Sequence, residues 1–374
     1  MATRKSSILM TLACATICVA QEPLSVDPWE LSKHKSAQLV IRAPVPSVPR
    51  IQTVELDVLV NTSGDVVSAK ALRGPSELFA QAIAEVQSHS YTPFRRNGKA
   101  VAARFTDDVE IQPAERVPKI HRPFPTPRDW NSILITLQRT PCLGTCPYYK
   151  LEIHGNGTVT YKGLDYVAVP GDHTGSISRA DLEALLDLFR KADYFSLDAD
   201  YSLNGFDAPS QTVSLTIDGH SASVIDFFGV EAGMPQSAFD LEDAIDFYGG
   251  AFKWTIGDGD TVAALKREKF NFRSEEGGKL LAEVAKCGSA KAIRDLIAAG
   301  TPLDGKVPRD QWSAAFPALY WAAGNPDLEV LRLLIRAGAS KNSPYEKNSA
   351  RYRASSVLQR PEAVALLIKY GADK

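Results

Sequence analysis

The sequence predicts an α+β multidomain chain: two small antiparallel α+β domains followed by an all-α stack of helical repeats. Three observations carry that prediction. Apolar residues alternate along short segments separated by turns over residues 51–111 and again over 131–249. Between them Pro113, Pro118, Pro123, Pro125 and Pro127 forbid regular structure, so 112–130 reads as an extended linker. Over 251–374, Gly300, Gly338 and Gly371 each follow an apolar helical segment, at steps of 38 and 33 residues.

The 374 residues leave room for two or three domains. The chain is 44% hydrophobic and 23% charged, with no segment that reads as extended disorder. A formal charge of -2 is too small to point to a nucleic-acid or membrane-surface partner.

The first residues read as a targeting segment rather than as part of the fold. Arg4 and Lys5 precede an uncharged apolar run from Ile8 to Val19, and Cys18-Val19-Ala20 stands before Gln21-Glu22-Pro23. This is the layout of a secretory signal peptide, residues 1–20, cleaved near Ala20. The run is shorter than the ~20 residues that span a bilayer. Thr11 and Ala15 occupy the positions where a lipoprotein would need Leu before Cys14 or Cys18. No later stretch is long and apolar enough to cross a membrane. The expectation is a periplasmic or secreted protein with no membrane insertion after cleavage. Cys142, Cys146 and Cys287 then remain, in a compartment where nearby cysteines pair.

Residues 21–50 are Pro-rich and aperiodic, a tether. In 51–111, Val54, Leu56, Val58 and Val60 alternate with polar residues as a strand. Ser63-Gly64-Asp65 turns the chain, and Val66-Val67 starts the return. Gly74-Pro75 breaks it, Ser76 caps a helix, and Leu78, Phe79, Ala82, Ile83 and Val86 share one helical face. After the Asn97-Gly98 turn, Val101 to Ile111 alternates as a last strand, giving the order β-β-α-β. Gly64-Asp65-Val66, Gly74-Pro75, the Ala-rich helix and Tyr91-Thr92-Pro93-Phe94 before Asn97-Gly98-Lys99 resemble the C-terminal domain of the TonB energy-transducer family. The resemblance implies that fold and the pairing of a sheet edge with a partner's short segment. It does not imply energy transduction, because the membrane anchor and long Pro-rich spacer of a transducer do not precede these residues.

In 131–249, Ile133, Ile135 and Leu137 form a strand. Leu151 and Ile153 turn at Gly155-Asn156-Gly157 into Val159 and Tyr161. Ser178 and Asp181 make a capping box ahead of Leu182, Leu185, Leu186 and Phe189. Val213, Leu215 and Ile217 turn at Asp218-Gly219 and return to Phe228. Ser237 with Asp240 caps a last helix containing Leu241, Ile245 and Tyr248, ended by Gly249-Gly250 at a softer joint near 249–253. The run Arg139-Thr140-Pro141-Cys142-Leu143-Gly144-Thr145-Cys146-Pro147-Tyr148 resembles the opening of an uncharacterised bacterial domain family with the pattern Pro-Cys-x-Gly-x-Cys-Pro. That resemblance implies a domain and no activity.

In 251–374, Ala318-Leu319-Tyr320-Trp321-Ala322-Ala323-Gly324 and Leu333-Leu334-Ile335-Arg336-Ala337-Gly338-Ala339 resemble the two helices of an ankyrin repeat. Leu366 to Asp373 repeats the second of these. An earlier copy runs from Leu281 to Gly300, and a degenerate one starts at Trp254. One helix pair cannot bury its own apolar face, but several stacked pairs can. Gly ends the second helix where the chain needs a positive φ. The resemblance implies a generic protein-binding role.

Few constellations point to chemistry. Cys142 and Cys146 read as a structural disulfide closing a tight turn at Gly144, as a redox pair, or as half a metal site. A redox motif has two intervening residues at a helix start, whereas three stand here between prolines. Zinc needs two further ligands. The disulfide is therefore preferred. Cys287 reads as a small buried residue on a repeat helix. Asp198, Asp200, Asn204 and Asp207 fail as a calcium loop, because Leu203 and Pro209 occupy the sixth and twelfth positions. The histidines are scattered, and no nucleophile elbow, phosphate loop or dinucleotide fingerprint occurs. Arg95, Arg96, Lys99 and Arg104, and separately Lys266, Arg267 and Lys269, read as solvated basic faces. Trp312, Tyr320, Trp321 and Tyr345 are the protein-binding candidates. Trp321 either packs in the stack or is presented to a partner as an aromatic anchor.

These features predict a non-catalytic adaptor that binds an unidentified protein partner, with no catalytic residue, cofactor or metal assigned. The alternatives are an enzyme or enzyme-associated subunit with its site in 131–249, marked by a pocket where His, Asp and Arg converge, or a thiol-redox protein.

Overall fold

The computed structural model describes residues 23–26, 31, 34–35, 39–42, 52–308, 314–341 and 349–372. The segment expected to be a signal peptide lies outside them. The chain divides into two compact units, Met1–Gln112 and Pro113–Lys374. The architecture is multidomain α+β, sheet-rich towards the N-terminus and mostly helical towards the C-terminus. No helix among the described residues is long and apolar enough to cross a membrane.

The first unit runs β1 (Leu24–Ser25), β2 (Leu39–Arg42), β3 (Gln52–Val60), β4 (Val66–Arg73), α1 (Phe79–Gln87), β5 (Arg95–Arg96), β6 (Lys99–Ala100) and β7 (Ala103–Gln112). The sheet order is β1-β7-β3-β4, with β2 also on β7. Val54, Leu56, Val58 and Val60 form the buried parity of β3, and Ala82 and Val86 of α1 are buried with them. The β-β-α-β order is present, with two differences. Ser76 is not the cap: a 3-10 turn over Ser76–Leu78 is entered from Pro75, with no side-chain cap. Two pieces of the expected tether are strands, β1 and β2, both parallel to β7. The outer edge of β7 would otherwise present a row of unpaired backbone groups, and Leu31 and Leu39 are buried in the same core. Asp107 falls on the inward parity of β7 and is buried. It is satisfied by the Tyr91 hydroxyl at 2.6 Å and by Lys35 Nζ at 2.5 Å.

The second unit begins with the proline-rich stretch, which lacks regular structure as expected but is not a free linker. It is strapped down: Arg116 N donates to Gly233 O at 2.7 Å, Arg122 N to Ser196 Oγ at 2.8 Å and Arg128 N to Asp218 Oδ2 at 2.7 Å. Then follow β8 (Leu134–Arg139), β9 (Tyr148–His154), β10 (Thr158–Asp165), β11 (Gly171–Ser176), α2 (Arg179–Lys191), β12 (Asp200–Ser202), β13 (Gln211–Ile217), β14 (His220–Phe227) and α3 (Gln236–Gly249). The sheet order is β11-β10-β9-β8-β13-β14-β12. Every pairing is antiparallel except that of β12 with β14. Ser178 caps α2 as expected, accepting from Asp181 N at 3.1 Å. Ser237 does not cap α3; the cap position lies two residues earlier, at Pro235, whose ψ of 138° places it outside the helix.

The helical part comprises α4 (Phe252–Thr255), α5 (Thr261–Arg267), α6 (Glu275–Cys287), α7 (Ala290–Ala298), a hairpin of β15 (Lys306–Pro308) and β16 (Ala315–Pro317), α8 (Ala318–Ala322), α9 (Leu328–Ala337), α10 (Ala350–Tyr352) and α11 (Pro361–Lys369). A turn of π-helix, Arg353–Val357, continues α10. Helix α6 contacts α8, and α8 contacts α10; α7 contacts α9, and α9 contacts α11. Gly300, Gly338 and Gly371 have φ of +85°, +96° and +77°, so each takes the left-handed conformation that glycine was expected to supply.

The joint near 249–253 is not a break. Gly250, at φ +62°, ends α3, but the buried residues of the sheet and of the helices form one continuous core. Trp254 of α4 is fully buried, its indole stacked on Tyr161 of β10 at 5.0 Å between centroids. Backbone bonds from Ala168 N to Thr255 O and from Val169 N to Trp254 O, both 2.8 Å, fasten α4 to the β10–β11 connection.

Candidate binding cleft between the sheet and the helices

The β10–β11 connection, residues 166–170, follows a register shift between Gly163 and Asp165 in the pairing of β10 with β9. Tied to α4 at its centre, it faces the helices across a cavity of about 600 Å³. One wall is Leu164 to Pro170 with His173; the other is α6, Leu265, Glu268 and Phe270, and Val307-Pro308 of the hairpin. A second cavity of about 600 Å³ adjoins it, sharing Tyr166, Ala168, Glu283 and Lys286. This one reaches Thr145 and Pro147 of the disulfide loop on one side and Trp321, Gly324 and Arg353 on the other. Together the two make a groove between the sheet and the first helices of successive pairs.

The face of α6 towards the groove follows from helical spacing. Glu276, Lys279, Glu283 and Lys286 line it, at steps of three, four and three residues. Glu283 and Lys286 pair at 2.7 Å. Burial holds the Glu283 carboxyl above its ordinary range, although Lys286 opposes the shift. Lys286 also donates to Pro308 O at 3.2 Å and lies 4.6 Å from the centre of the Trp321 ring.

His173 offers no general base to this cleft. Its Nδ1 lies 2.8 Å from Glu268 Oε2 and its Nε2 3.1 Å from Pro170 O. Both ring nitrogens face acceptors, so neither presents a free lone pair to a ligand. The ring instead straps the β10–β11 connection to the segment after α5.

The strongest polar cluster of the sheet lies elsewhere. Arg139 sits on the inward parity of β8, in line with Ile133, Ile135 and Leu137. Its Nη2 meets Asp246 Oδ2 at 2.9 Å, its Nη1 meets Glu242 Oε2 at 3.3 Å, and its Nε meets the Tyr149 hydroxyl at 3.0 Å. Tyr149 donates in turn to Asp246 Oδ1 at 2.5 Å. Burial works against the Arg139 charge, but Asp246 leads the opposing effects and holds the guanidinium protonated. Glu242 is pushed up to about 9, first by burial and then by the negative charge of Asp226. Its Oε1 is buried without a hydrogen-bond partner among the described residues. Neither cavity is lined by Arg139, Glu242 or Asp246. The cluster is an internal clamp between β8 and α3, and sequence reading missed it. The available signal was a charged residue at core parity in β8, matched by two acids four residues apart on the apolar face of α3.

Of the residues singled out in the sequence, Cys142 and Cys146 are disulfide-bonded, with Cα atoms 5.6 Å apart. Cys287 is exposed rather than buried: it is the last residue of α6, and it lines the second cavity. Tyr320 and Trp321 are buried. Trp321 donates to Phe316 O at 3.0 Å and Val307 O at 3.2 Å, and Tyr320 stacks on Phe316 at 4.1 Å. Both rings therefore pack among the helices and hold the hairpin, with Trp321 also forming part of a cavity wall. Trp312 and Tyr345 lie outside the described residues. Among the described residues no group of three or more His, Cys, Asp or Glu is arranged to hold a metal ion.

Residues 133–248 match the sequence profile of a domain of unknown function, DUF6438. No curated protein matches the chain. The matched domain ends before Trp254, so it supplies one wall of the groove and the helices supply the other.

Proposed function

We propose that this chain is an exported, non-catalytic adaptor whose helical pairs are ankyrin-type repeats, and that it grips a partner protein's extended segment in the groove between β10–β11 and α6. The single observation that carries the reading is the groove itself. Two adjoining cavities of about 600 Å³ run between the two walls, and the first is lined by Val167, Val169, Leu265, Leu280 and Val307 together with six charged side chains. The engagement of both His173 nitrogens supports binding over proton-transfer chemistry. The left-handed glycines closing the helix pairs, and the hairpin before α8, support the repeat assignment. In the first unit, β4 is an edge strand with Val67 and Leu72 exposed, which supports carrying over a strand-pairing habit as a secondary contact.

The test is co-purification from envelope extract with the full chain and with two groove variants, Leu164→Arg and Lys279→Glu. Both positions are exposed, so neither change should unfold the protein. A partner held by the full chain and lost by both variants is the expected result. A partner retained by both places the interaction elsewhere and removes the groove from the reading.

A further inference from the structure

Within the second cavity one cation stands apart. Three charged side chains line it: Glu283, Lys286 and Arg353. Lys286 and Glu283 form an ion pair at 2.7 Å, which leaves Arg353 without a counter-charge among the described residues. The Arg353 guanidinium lies 4.7 Å from the ring centres of both Tyr320 and Trp321. Those contacts use its charge and leave its N–H donors unspent. Its Nε is inaccessible and has no hydrogen-bond partner among the described residues. A charged group so placed is costly unless something pairs with it.

The local backbone builds this arrangement. Arg353 opens the π-helical turn, with Leu358 N donating to Arg353 O at 2.9 Å. Such turns are rare and recur at functional sites. Gly324 leaves the room: a Cβ there would stand 3.0 Å from Arg353 Nη2 and 3.2 Å from its Nε. The guanidinium is thus fixed by two aromatic rings and a glycine, against a cavity whose other lining is largely neutral.

We propose that Arg353 is a carboxylate-binding residue, and that the groove takes peptides in which an acidic side chain or a free C-terminal carboxylate follows an apolar anchor. The planar fork of an arginine matches the two oxygens of a carboxylate. The adjoining apolar cavity takes the anchor. This inference rests on the reading of the groove as the partner site, and it adds the chemistry that the partner must carry.

The test uses the full chain as bait for random peptides displayed on phage in two formats, internal and with a free C-terminus. Selected peptides are then synthesised with and without their carboxylate, as Asn or Gln replacements or as C-terminal amides. Removing the carboxylate should weaken binding to the native chain about tenfold and leave binding to Arg353→Gln nearly unchanged. The format in which the loss appears identifies the source of the carboxylate. Arg353→Lys, which keeps a cation over the rings, serves if Arg353→Gln does not fold, and should lose most of the effect with the fork. Gly324→Ala, which crowds the guanidinium, should do the same while leaving the charge in place. If apolar peptides are selected without a fixed acidic group, or if the carboxylate counts equally in native chain and variants, the Arg353 inference is overturned and the groove reading stands. If no peptide is selected in either format, both fall.

Discussion

Glu242 shows what a single buried acid does to a fold. It lies on the inner face of α3 at 2% exposure, beside Asp226, and shares Arg139 with Asp246. With its pKa pushed up to about 9 from an ordinary 4.5, it is neutral in the native state at pH 7 and ionised in the unfolded chain. Between those two values the native state holds the extra proton, so raising the pH favours unfolding. The contribution of the protonated acid is fully present below about pH 4.5 and is lost progressively as the pH rises through about 9. Replacing it with Gln removes the ionisable group while keeping the shape and an oxygen for Arg139. Glu242→Gln should therefore raise the unfolding free energy at pH 8 by a few kcal/mol, on the order of ~2–4, and change it little at pH 4.5. Thermal unfolding across pH 4.5 to 9 checks this, since the variant's midpoint should be flatter with pH than the native one. A native curve already flat over that window would mean that Arg139 neutralises the acid and that Glu242 is ionised in the fold.

At the scale of elements, the run 139–149 shows which parts of a motif the sequence discloses. The disulfide was legible because two cysteines flanking Gly144 between prolines leave few alternatives. Strands β3, β7, β8, β9, β10 and β13 were legible from period-two alternation, β4 and β14 from the turns that precede them, and the ends of the second helices from their glycines; β11 and β12 were not. The roles of Arg139 and Thr140 were not legible, because their partners are distant in sequence. Arg139 reaches α3 more than a hundred residues on, and Thr140 Oγ1 accepts from Ser210 N at 2.8 Å. The groove was illegible for the same reason: one wall comes from β10–β11 and the other from α6, and no local pattern announces that two such segments face each other. The β1 and β2 strands escaped because two to four residues are too few for a period to show. The Cys142–Cys146 ring closes so short a loop that its entropic contribution is about 2 kcal/mol. Changing both cysteines to Ser should cost the second unit that amount in urea unfolding. Dithiothreitol should produce a similar loss in the native chain and none in the double variant. A larger loss in the variant would assign the cysteines a packing role beyond the crosslink.

At the scale of the whole molecule, the sheet and the helical pairs of the second unit are joined by burial rather than by a hinge. Trp254 connects them, since its indole completes the core over Tyr161 and packs against Gly175, where a Cβ would stand 3.0 Å from its ring. Removing a buried Trp side chain alone costs about 3–5 kcal/mol. Cutting the chain before it also unpairs the backbone N–H groups of Ala168 and Val169 and takes away Glu268, which holds His173. A domain of ordinary size has only about 5–15 kcal/mol to lose. A fragment of residues 113–251 should therefore fail to fold, although it contains the whole matched domain, whereas one of residues 113–374 should unfold in a single transition. For the longer fragment, tryptophan fluorescence and far-ultraviolet circular dichroism should give coincident urea curves. Two separated transitions there, or a stable and well-dispersed shorter fragment, would show that the sheet stands without the helices. The groove would then lie between two bodies free to part, and its walls could not be treated as rigid.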